Sequence, residues 1–379
     1  MSNIPSDGKA TAAPASPDGA HTLAEILSQP SCWVASLRQL EDSDGSRTLA
    51  RQFSNNQPWI FIGCGSSFYV AQSAAATMTA LTGRRAQAVP ASELMLFPEL
   101  VLSGGSPCIP VLISRSGRTS EVLKVAEFLH ERGIATLGIS CAPGQTLETL
   151  ATSALVFPAA DEQSMVMTRS FTSMLMALQA LAAAVAGNQD FLAAQRRLPS
   201  IAEGLLRTLP RQVHDFVNAH AFADYVCLGQ GALYGIACEM ALKLTEMSVS
   251  YAQSFHTLEF RHGPKSIVSK ETLIAFLLSE TGYAEELEVL EEIKKLGGTT
   301  LVIANRADSR ARTAADLLVE LGADTPEAAR LPVYLITGQL MGLYTGLKKG
   351  LDPDKPRNLS RVVVLADQDS SKRPEHAAI

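Results

Sequence analysis

The chain has 379 residues, of which 46% are hydrophobic and 18% are charged, and its formal net charge at pH 7 is -6. This composition is typical of a folded globular protein and excludes a disordered chain. The acidic balance argues against binding to nucleic acid or to an anionic membrane surface, because such binding depends on many basic groups. The length suits two hydrophobic cores better than one.

The chain opens with residues 1–20, which are rich in Ser, Pro, Ala, Gly and Asp and show neither a helical nor a strand period. We expect a disordered tail there. Thr22 and Glu25 then form the S/T-x-x-E pattern of a capping box. This pattern predicts that the first helix starts at Thr22.

Apolar runs alternate with helical patterns from residue 58 to 198, which predicts a parallel, doubly wound sheet. The expected strands are 58–63, 86–90, 109–113, 134–139 and 154–157. Residues 173–187 are apolar nearly all round, which predicts a buried helix, and 188–213 reads as a helical connector.

The second half continues the same alternation. Its expected strands are 224–228, 272–278, 299–303 and 331–335, followed by a polar loop at 351–358 and a last strand from Arg361 to Ala366. The strands again alternate with helical segments, so the second half also predicts a parallel sheet.

Two motifs occur twice in the chain. Residues 59–74 and 225–240 both read as a strand, a Gly-x-Gly turn and a helix, while 111–122 recurs as 276–287. Two motifs at nearly one offset indicate a duplicated domain. We therefore predict an α/β fold of two tandem doubly wound, flavodoxin-like subdomains related by a pseudo-two-fold duplication, at 21–205 and 206–379.

Only the first copy keeps a set of hydroxyl groups at its helix entrances. Where it has Ser66, Ser67, Ser116 and Thr119, the second copy has Ala232, Leu233, Thr281 and Ala284. Ligands of doubly wound sheets bind beyond the carboxyl ends of the strands, where helix N-termini attract anions. With Arg115 and Arg118, the hydroxyls predict a phosphate cradle. Helix capping explains either loop alone, but not both.

A dinucleotide site is the competing interpretation of the first Gly-x-Gly turn. The third glycine of G-x-G-x-x-G would fall at Phe68, and no acidic residue stands about twenty positions on. The sequence therefore favours the phosphate cradle.

A candidate acid–base group lies in the second copy. Glu239, Lys243 and Glu246 share one face of the predicted helix, although a surface salt bridge explains the first two equally well. His262 precedes a Gly-Pro turn that presents the imidazole outward. Such a histidine can act as an acid or base near neutral pH.

The six cysteines lack the C-x-x-C spacing of a zinc or redox site, so we expect buried thiols in a reducing compartment and no metal. No signal-like segment opens the chain, and no apolar run reaches the ~20 residues of a membrane span. These features predict a cytoplasmic protein.

With these residues assembled, the chain resembles the sugar isomerase (SIS) domain family. Within it, the chain resembles the isomerase domain of glucosamine-6-phosphate synthase and the amino-sugar-6-phosphate deaminases. The matching stretches are Gly-Cys-Gly-Ser-Ser (63–67), Ala-Ser-Glu (91–93), Ser-Arg-Ser-Gly-Arg-Thr (114–119), Met-Thr-Arg-Ser-Phe-Thr (167–172), Glu-Met-Ala-Leu-Lys-Leu-Thr-Glu (239–246), Arg-His-Gly-Pro (261–264) and Pro-Arg-Asn-Leu-Ser-Arg (356–361).

The resemblance implies a sugar 6-phosphate held by Gly65, Ser66, Ser67, Ser114, Arg115, Ser116, Thr119 and Thr168. It implies that Glu246 moves a proton between the first two sugar carbons, helped by Lys243. It also implies that His262 opens the sugar ring and reaches into a neighbouring subunit, so that the protein is a homodimer. No cofactor is needed.

The chain departs from the synthase in two respects. Arg361 replaces the lysine that meets the sugar carbonyl, and arginine cannot form a Schiff base. No glutaminase domain precedes Thr22, so we expect release of ammonia, from glucosamine or galactosamine 6-phosphate to a ketose 6-phosphate. In this scheme Arg361 and Lys243 polarise the heteroatoms.

Three alternatives stay open at this point. The first two are enzymes: an aldose–ketose isomerase without deamination and a fructosamine-6-phosphate deglycase. The third is a regulator that only binds a sugar phosphate. The presence of both Glu246 and His262 counts against the regulator.

Overall fold

The computed structural model describes residues 17–43, 45–102 and 107–365. It confirms the predicted α/β class, with two five-stranded parallel sheets and interleaved helices. The predicted tail lies outside the described residues up to residue 16. Order begins slightly earlier than expected, because the first helix starts at Ala20.

The elements of the first half are α1 (Ala20–Leu27), α2 (Gln29–Asp42), α3 (Gly45–Gln52), β1 (Trp59–Gly63), α4 (Ser66–Thr82), β2 (Ala86–Pro90), α5 (Ala91–Leu96), α6 (Pro98–Val101), β3 (Ile109–Ile113), α7 (Ser120–Glu131), β4 (Leu137–Ser140), α8 (Thr146–Leu150), β5 (Ser153–Val156) and α9 (Arg169–Ala186). A connector follows, made of α10 (Gln189–Gln195), α11 (Leu198–Leu206) and α12 (Leu209–Ala219).

The elements of the second half are β6 (Asp224–Gly229), α13 (Leu233–Ser248), β7 (Tyr251–His256), β8 (Thr272–Leu277), α14 (Tyr283–Lys295), β9 (Thr299–Ala304), α15 (Ser309–Ala314), β10 (Leu317–Glu320) and α16 (Glu327–Lys348). Short 3₁₀ turns at Glu259–Arg261 and Pro264–Ile267 lie between β7 and β8.

The two sheets have the same topology, which confirms the duplication. The first has the strand order β2-β1-β3-β4-β5 and the second β7-β6-β8-β9-β10, and every pair is parallel. This is the flavodoxin-like strand order. The second strand of each half lies on one side of the first strand and the later strands lie on the other side, so the winding reverses beside the first strand. The ligand sites of such sheets lie at that switch point.

The two Gly-x-Gly turns are also built alike. A Cβ on Gly63 would lie 2.5 Å from the carbonyl carbon of Ser67, and one on Gly229 would lie 2.6 Å from the carbonyl oxygen of Leu233. The second glycines, Gly65 and Gly231, have φ angles of 54° and 56°. The first glycine of each turn lets the helix approach the strand, and the second adopts a backbone conformation that side chains disfavour.

One hydrophobic cluster extends through both halves and includes the helices α4, α9, α13 and α16. Helix α9 is long and apolar enough to cross a membrane, but 78% of it is buried inside the protein. Buried core helices share this composition, and the predicted all-round apolar helix at 173–187 lies within α9.

Glycines on α16 allow it to pack closely against α13. Gly338, Gly342 and Gly346 follow one another at intervals of four residues, and a Cβ on Gly342 would lie 2.8 Å from the carbonyl oxygen of Lys243. A Cβ on Gly346 would lie 2.2 Å from the carbonyl oxygen of Met247. The backbone of α13, which carries the candidate acid–base residues, is therefore supported along its length by α16.

This contact gives the first prediction. Gly346→Ala is expected to destabilise the protein by about 1–3 kcal/mol, because the new methyl group forces two packed helices apart. Gly204→Ala is the control: it lies exposed in α11 with no atom within 4 Å of the new Cβ. There we expect a gain of about 0.5–1 kcal/mol from helix propensity. Urea unfolding of both variants measures the difference, and equal effects would contradict the packing described.

The predicted capping box is wrong. Helix α1 has Gly19 as its N-cap and no side-chain cap. The Thr22 hydroxyl donates to the Asp354 carboxylate at 2.7 Å instead, and the Glu25 carboxylate accepts the backbone N–H of Gln163 at 2.6 Å. These side chains bind the C-terminal loop and the loop before α9, which a local pattern cannot predict.

Two predicted strands are also wrong. Residues 331–335 lie inside α16, and none of the described residues of the segment Arg361–Ala366, which end at 365, forms a strand. A short apolar run looks the same in a buried helix and in a buried strand. The edge strands β7 and β10 were not predicted. Both are partly exposed; β7 mixes polar and apolar residues, and the apolar run of β10 is only three residues long, Leu317 to Val319. The subdomain boundary at 205/206 stays a prediction.

Candidate active site

A cleft of about 180 Å³ lies at the carboxyl edge of the first sheet, at the switch point between β1 and β3. Its lining combines both halves of the chain with the C-terminal segment: Cys64, Gly65, Ser66, Ser67, Arg115, Ser116, Thr119, Met165, Met167, Glu246, Ser360, Arg361, Val362 and Val363. Predicted phosphate-binding residues and the predicted base thus line one cavity.

Hydroxyl groups line the side of the cleft formed by the first half. Thr119 is the N-cap of α7, yet its side chain makes no capping hydrogen bond, and α4 likewise has no side-chain cap. The Thr119 hydroxyl instead contacts the Ser114 hydroxyl at 2.9 Å, and Ser116 accepts the backbone N–H of Arg118 at 3.2 Å. Helix capping therefore does not explain these side chains.

Ser67 lies in the first turn of α4. Its hydroxyl has Met167 Sδ as a neighbour at 4.0 Å, which is a weak acceptor. The hydroxyl is therefore able to donate to a stronger acceptor. Helices α4 and α7 both begin at the cleft, so the partial positive charge of their N-termini favours an anion there.

Arg115 lines the cleft, but its charge is compensated from behind. Its guanidinium forms an ion pair with Glu162 at 3.2 Å, in which both side chains are buried, and donates to the backbone carbonyl of Arg361 at 3.1 Å. Glu162 also accepts the backbone N–H and the hydroxyl of Thr168 at 2.6 and 3.0 Å. Thr168 thus lies behind the cleft, where it holds Glu162 rather than lining the cavity.

The acid–base group of the second half reaches the cleft because α13 crosses α4 closely. A Cβ on Gly235 would lie 2.9 Å from the carbonyl oxygen of Tyr69, so only glycine allows this approach. One turn further on, the Glu239 carboxylate accepts the Ser66 hydroxyl at 3.0 Å. This contact joins the helix start of the first half to the helix of the second half.

Lys243 lies at the centre of the group. Its ammonium forms ion pairs with Glu239 at 3.2 Å and with Glu246, and it donates to the Ser66 hydroxyl at 3.3 Å. Lys243 and Glu239 are fully buried, whereas 18% of the Glu246 side chain is exposed, towards the cleft. The surface salt bridge considered from the sequence is therefore excluded, and Glu246 is the member of the group that a ligand can contact.

Burial raises the pKa of Glu239 to about 8, although Lys243 acts in the opposite direction. Burial alone lowers the pKa of Lys243, but the carboxylates of Glu239 and Glu246 outweigh it and raise that pKa. Both carboxylates thus stabilise the charged ammonium of Lys243, and Glu239 binds a proton at a higher pH than an exposed glutamate does. Of the two ion pairs, the one with Glu246 lies at the cleft.

The Glu239 carboxyl gives the second prediction. Its ordinary pKa is 4.5, so between pH 4.5 and about 8 the folded protein binds a proton that the unfolded chain has released. Stability from this group therefore falls as the pH rises through that interval. Glu239→Gln removes the titration, so its free energy of unfolding should improve relative to wild type from pH 5 to pH 8. Denaturation curves of wild type and Glu239→Gln at pH 5 and at pH 8 measure this. The same difference in free energy of unfolding at both pH values would contradict the raised pKa.

The C-terminal segment closes one side of the cleft. The Arg361 guanidinium pairs with Asp161 at 2.6 Å and is 40% exposed, while its backbone carbonyl faces Arg115. The backbone carbonyl of Val363 accepts the N–H of Ser120 at 3.3 Å. Arg361 thus lies beside the cleft, but its side chain is directed to Asp161 in this structure.

His262 lies outside the cleft of its own chain. It follows the 3₁₀ turn Glu259–Arg261, it is exposed, and it is not among the residues that line the cavity. Gly263 has a φ of 119°, which fits the expected Gly-Pro turn. The structure brings together the other predicted catalytic residues with the cradle, but not this one.

Sequence reasoning missed two kinds of residue here. Glu162 and Asp161 pair with Arg115 and Arg361, and Met165 and Met167 contribute apolar lining to the cleft. The two acids lie a few residues before the Met-Thr-Arg-Ser-Phe-Thr stretch (167–172), and no spacing rule identifies them. The methionines resemble ordinary core residues in a sequence. Among the described residues, no group of three or more His, Cys, Asp or Glu side chains is arranged to hold a metal.

The fold and the cleft define a duplicated doubly wound α/β protein with its ligand cleft at a switch point. The chain belongs to the SIS domain family, whose model matches residues 52–184 and 225–345, more than half of the chain. This finding confirms the resemblance seen in the motifs.

Among its relatives, the glutamine--fructose-6-phosphate aminotransferase [isomerizing] of Pyrobaculum aerophilum is 26% identical over 355 residues. That alignment covers 90% of this chain and 57% of the relative. The corresponding protein of Chlamydia pneumoniae is 27% identical over 92% of this chain and 59% of its own length. The chain therefore spans a little over half the length of these relatives.

Solved structures of whole chains are also similar. The glucosamine-6-phosphate deaminase of Thermotoga maritima superposes with a TM-score of 0.73 at 27% identity, covering 91% of this chain and all of that one. The tagatose-6-phosphate ketose/aldose isomerase of Escherichia coli gives a TM-score of 0.80 at 22% identity, covering 93% and 98%. The second likeness shows the shared fold.

Proposed function

We propose that this protein is a phosphosugar isomerase that releases ammonia from a hexosamine 6-phosphate, either glucosamine or galactosamine 6-phosphate, and forms a ketose 6-phosphate. One observation carries the proposal: Ser67, Ser116 and Thr119 line the same cleft as Glu246. An anion held by the hydroxyls leaves the remainder of a small molecule within the cleft that this carboxylate also lines. The similarity to a deaminase of known structure supports the same conclusion.

In the proposed mechanism, the phosphate binds the hydroxyls at the starts of α4 and α7, and the partial positive charge of these helix ends attracts it. Because Arg115 is neutralised by Glu162, the hydroxyls and the helix ends supply most of the attraction for the anion. Hydrogen bonds to a charged group contribute about 1.5–3 kcal/mol each, so a few of them suffice for binding.

Glu246 then transfers the proton. In the open-chain sugar it removes a proton from the carbon bearing nitrogen and returns it to the former aldehyde carbon. A second proton passes from the nitrogen to the aldehyde oxygen, which becomes a hydroxyl, so that the amine becomes an imine. Water hydrolyses the imine, which yields the ketone and ammonia. Lys243, paired with Glu246, holds that carboxylate in place, and Arg361 approaches the heteroatoms if its pair with Asp161 opens.

We further propose a homodimer in which His262 opens the sugar ring in the site of the neighbouring subunit. Its exposed position away from its own cleft supports this arrangement. A cytoplasmic location is part of the proposal, and it agrees with six free cysteines.

The shared site gives the third prediction. His262→Ala and Glu246→Gln should each be inactive alone, but mixed dimers contain one site with both groups intact. Random pairing of the two variants should therefore restore about a quarter of wild-type activity. Coexpression with two different affinity tags supplies the mixed dimer. A mixed dimer without activity would show that the histidine serves its own subunit.

The experiment that tests the function measures ammonium release by the purified protein with glucosamine 6-phosphate, galactosamine 6-phosphate and fructosamine 6-phosphate. Ammonium and a ketose 6-phosphate from one of the two hexosamine phosphates are the expected products. Ketose formation without ammonium from an aldose 6-phosphate would favour the simple isomerase instead. Release from fructosamine 6-phosphate alone would favour the deglycase, and tight binding without any turnover would favour a regulator.

A further inference from the structure

Two buried carboxylates near the N-terminal helix take no part in the mechanism proposed above. Glu25 lies in α1 and is 3% exposed, and Asp354 lies in the C-terminal loop and is 6% exposed. Neither lines the cleft of the first half, which we call the first cleft. A carboxylate is buried only with compensating hydrogen bonds, so the partners of these two acids show what they hold in place.

Glu25 binds the segment that precedes α9. Its carboxylate accepts the backbone N–H of Gln163 at 2.6 Å, the backbone N–H of Ser164 at 3.2 Å and the Ser164 hydroxyl. The next residue, Met165, lines the first cleft, and so does Met167. Glu25 therefore fixes the backbone immediately before a cleft-lining residue.

Asp354 binds the start of α1 from the other end of the chain. Its carboxylate accepts the backbone N–H of His21 at 3.0 Å, and it accepts the backbone N–H and the hydroxyl of Thr22, each at 2.7 Å. It thus satisfies N–H groups that the start of a helix leaves without a partner. Residues 360–363, which line the first cleft, follow in the same C-terminal segment.

One further hydrogen bond closes these contacts into a ring. The backbone N–H of Met165 donates to the backbone carbonyl of Asp354 at 3.1 Å. The resulting N-terminal ring consists of Thr22, Glu25, Ser164, Met165 and Asp354, and it joins α1 to both cleft-lining segments and these segments to each other. Both oxygens of each carboxylate accept hydrogen bonds. A buried polar network whose members are all satisfied rigidifies one arrangement.

The same two segments meet again at the first cleft, but in an exposed contact. The Arg361 guanidinium pairs with Asp161 at 2.6 Å, and the two side chains are 40% and 38% exposed. Ion pairs exposed to this extent contribute little to stability. The buried N-terminal ring is therefore the contact that fixes the two segments relative to each other.

The hydroxyls of the phosphate cradle are held by different contacts. The Ser114 and Thr119 hydroxyls contact each other at 2.9 Å, and Ser116 accepts the backbone N–H of Arg118 at 3.2 Å, all within one loop. Ser67 lies in the first turn of α4. None of these residues belongs to the N-terminal ring, so opening the ring displaces other parts of the cleft lining and leaves the cradle in place.

We propose that Glu25 and Asp354 are positioning residues of the first cleft. Through the N-terminal ring they set the positions of Met165, Met167 and residues 360–363 around the sugar of a bound sugar phosphate, and neither acid touches the ligand. The Thr22-x-x-Glu25 pattern thus acts on the cleft instead of capping its own helix. The proposal rests on the proposed function in assigning a sugar phosphate to the first cleft, but not in the release of ammonia.

The test is calorimetric titration of the full chain with fructose 6-phosphate and tagatose 6-phosphate, the ketose products of the two hexosamine phosphates, and with inorganic phosphate. Glu25→Gln places an amide nitrogen where the N-terminal ring requires an acceptor. We expect it to weaken binding of the ketose phosphate that wild type prefers at least about tenfold, and binding of inorganic phosphate less than about twofold. In turnover, kcat/KM should fall by about 10²-fold, as a misplacement of about 1 Å in an active site can cause.

Glu286→Gln is the matched control. Glu286 is 1% exposed and its carboxylate accepts the backbone N–H and the hydroxyl of Ser279 at 2.7 and 2.9 Å, but it lies in α14 of the second half and does not line the first cleft. It should lose stability as Glu25→Gln does and bind all three ligands as wild type does. Equal weakening of ketose phosphate and phosphate by Glu25→Gln, or the same losses in Glu286→Gln, would overturn the proposal.

Two variants keep the test decisive if Glu25→Gln does not fold. Ser164→Ala removes one hydroxyl and leaves two backbone hydrogen bonds to Glu25, and Asp354→Asn alters the other carboxylate. Each should lower the affinity for the ketose phosphate relative to phosphate, Ser164→Ala by about threefold. An unchanged ratio in the folded variants would overturn the proposal. A wild type that prefers ketose phosphate to phosphate but releases no ammonium would refute the deaminase activity alone, whereas one without that preference would also refute the positioning role.

Discussion

Replacing Glu246 with glutamine is expected to reduce turnover of the hexosamine phosphate by about 10²–10⁴-fold, the usual contribution of a positioned acid or base. Glutamine keeps the size of the side chain but cannot accept the proton. Because the proposed phosphate contacts are the hydroxyls and not Glu246, the dissociation constant of the sugar phosphate should change little. Steady-state kinetics and a direct titration measure the two quantities separately.

Two comparisons make this result specific. Glu203→Gln, an exposed change of the same chemistry, should leave turnover unchanged. A thermal unfolding curve of Glu246→Gln should match wild type closely enough to exclude loss of fold as the cause. Turnover near the wild-type value would remove Glu246 from the mechanism and leave the buried Glu239 as the remaining carboxylate on that face of α13.

Removing two hydroxyls from the cradle, by Ser67→Ala together with Ser116→Ala, should weaken binding of the sugar phosphate strongly. Each hydrogen bond to a charged group is worth about 1.5–3 kcal/mol, so the pair should weaken binding by about 10²-fold or more. The loss should appear in KM and in the inhibition constant of inorganic phosphate. Titration with phosphate tests the cradle without reference to the chemical step.

The duplication supplies a matched control for the cradle. Thr281 occupies in the second half the place that Ser116 has in the first, and it is exposed beyond β8. Thr281→Ala should leave phosphate binding unchanged, because the anion cradle exists in the first half alone. Equal losses in the two variants would contradict the assignment of the phosphate to the first cleft.

Much of the fold was predictable because the two halves of the chain carry the same sequence motifs. The Gly-x-Gly turns are marked by glycines that the backbone requires, and the central strands are buried on both faces and read as continuous apolar runs. The edge strands β7 and β10 are partly exposed, and they carry a mixed pattern in β7 and only three consecutive apolar residues in β10. Residues 331–335 suggested a strand because a short apolar run looks the same in a buried strand and in a buried helix, and these residues lie in the buried helix α16.

The cradle and the face shared by Glu239, Lys243 and Glu246 were predictable because they follow from local spacing. The two groups come together in one cleft because α4 and α13 cross closely at Gly235. No local sequence pattern predicts this crossing. The neutralisation of Arg115 by Glu162 was not predictable either, since 47 residues separate the partners. The sequence therefore indicated a cationic cradle, whereas the structure places a compensated ion pair there.

The central claim is that Glu246 moves a proton on a sugar held by its phosphate in the first cleft. It is tested most directly by incubating the protein with glucosamine 6-phosphate and galactosamine 6-phosphate in D₂O and following the first two sugar carbons by NMR. Wild type should incorporate deuterium at one of these carbons in at least one of the two sugars, and Glu246→Gln should not. No incorporation by wild type in either sugar, or equal incorporation by the variant, would contradict the claim.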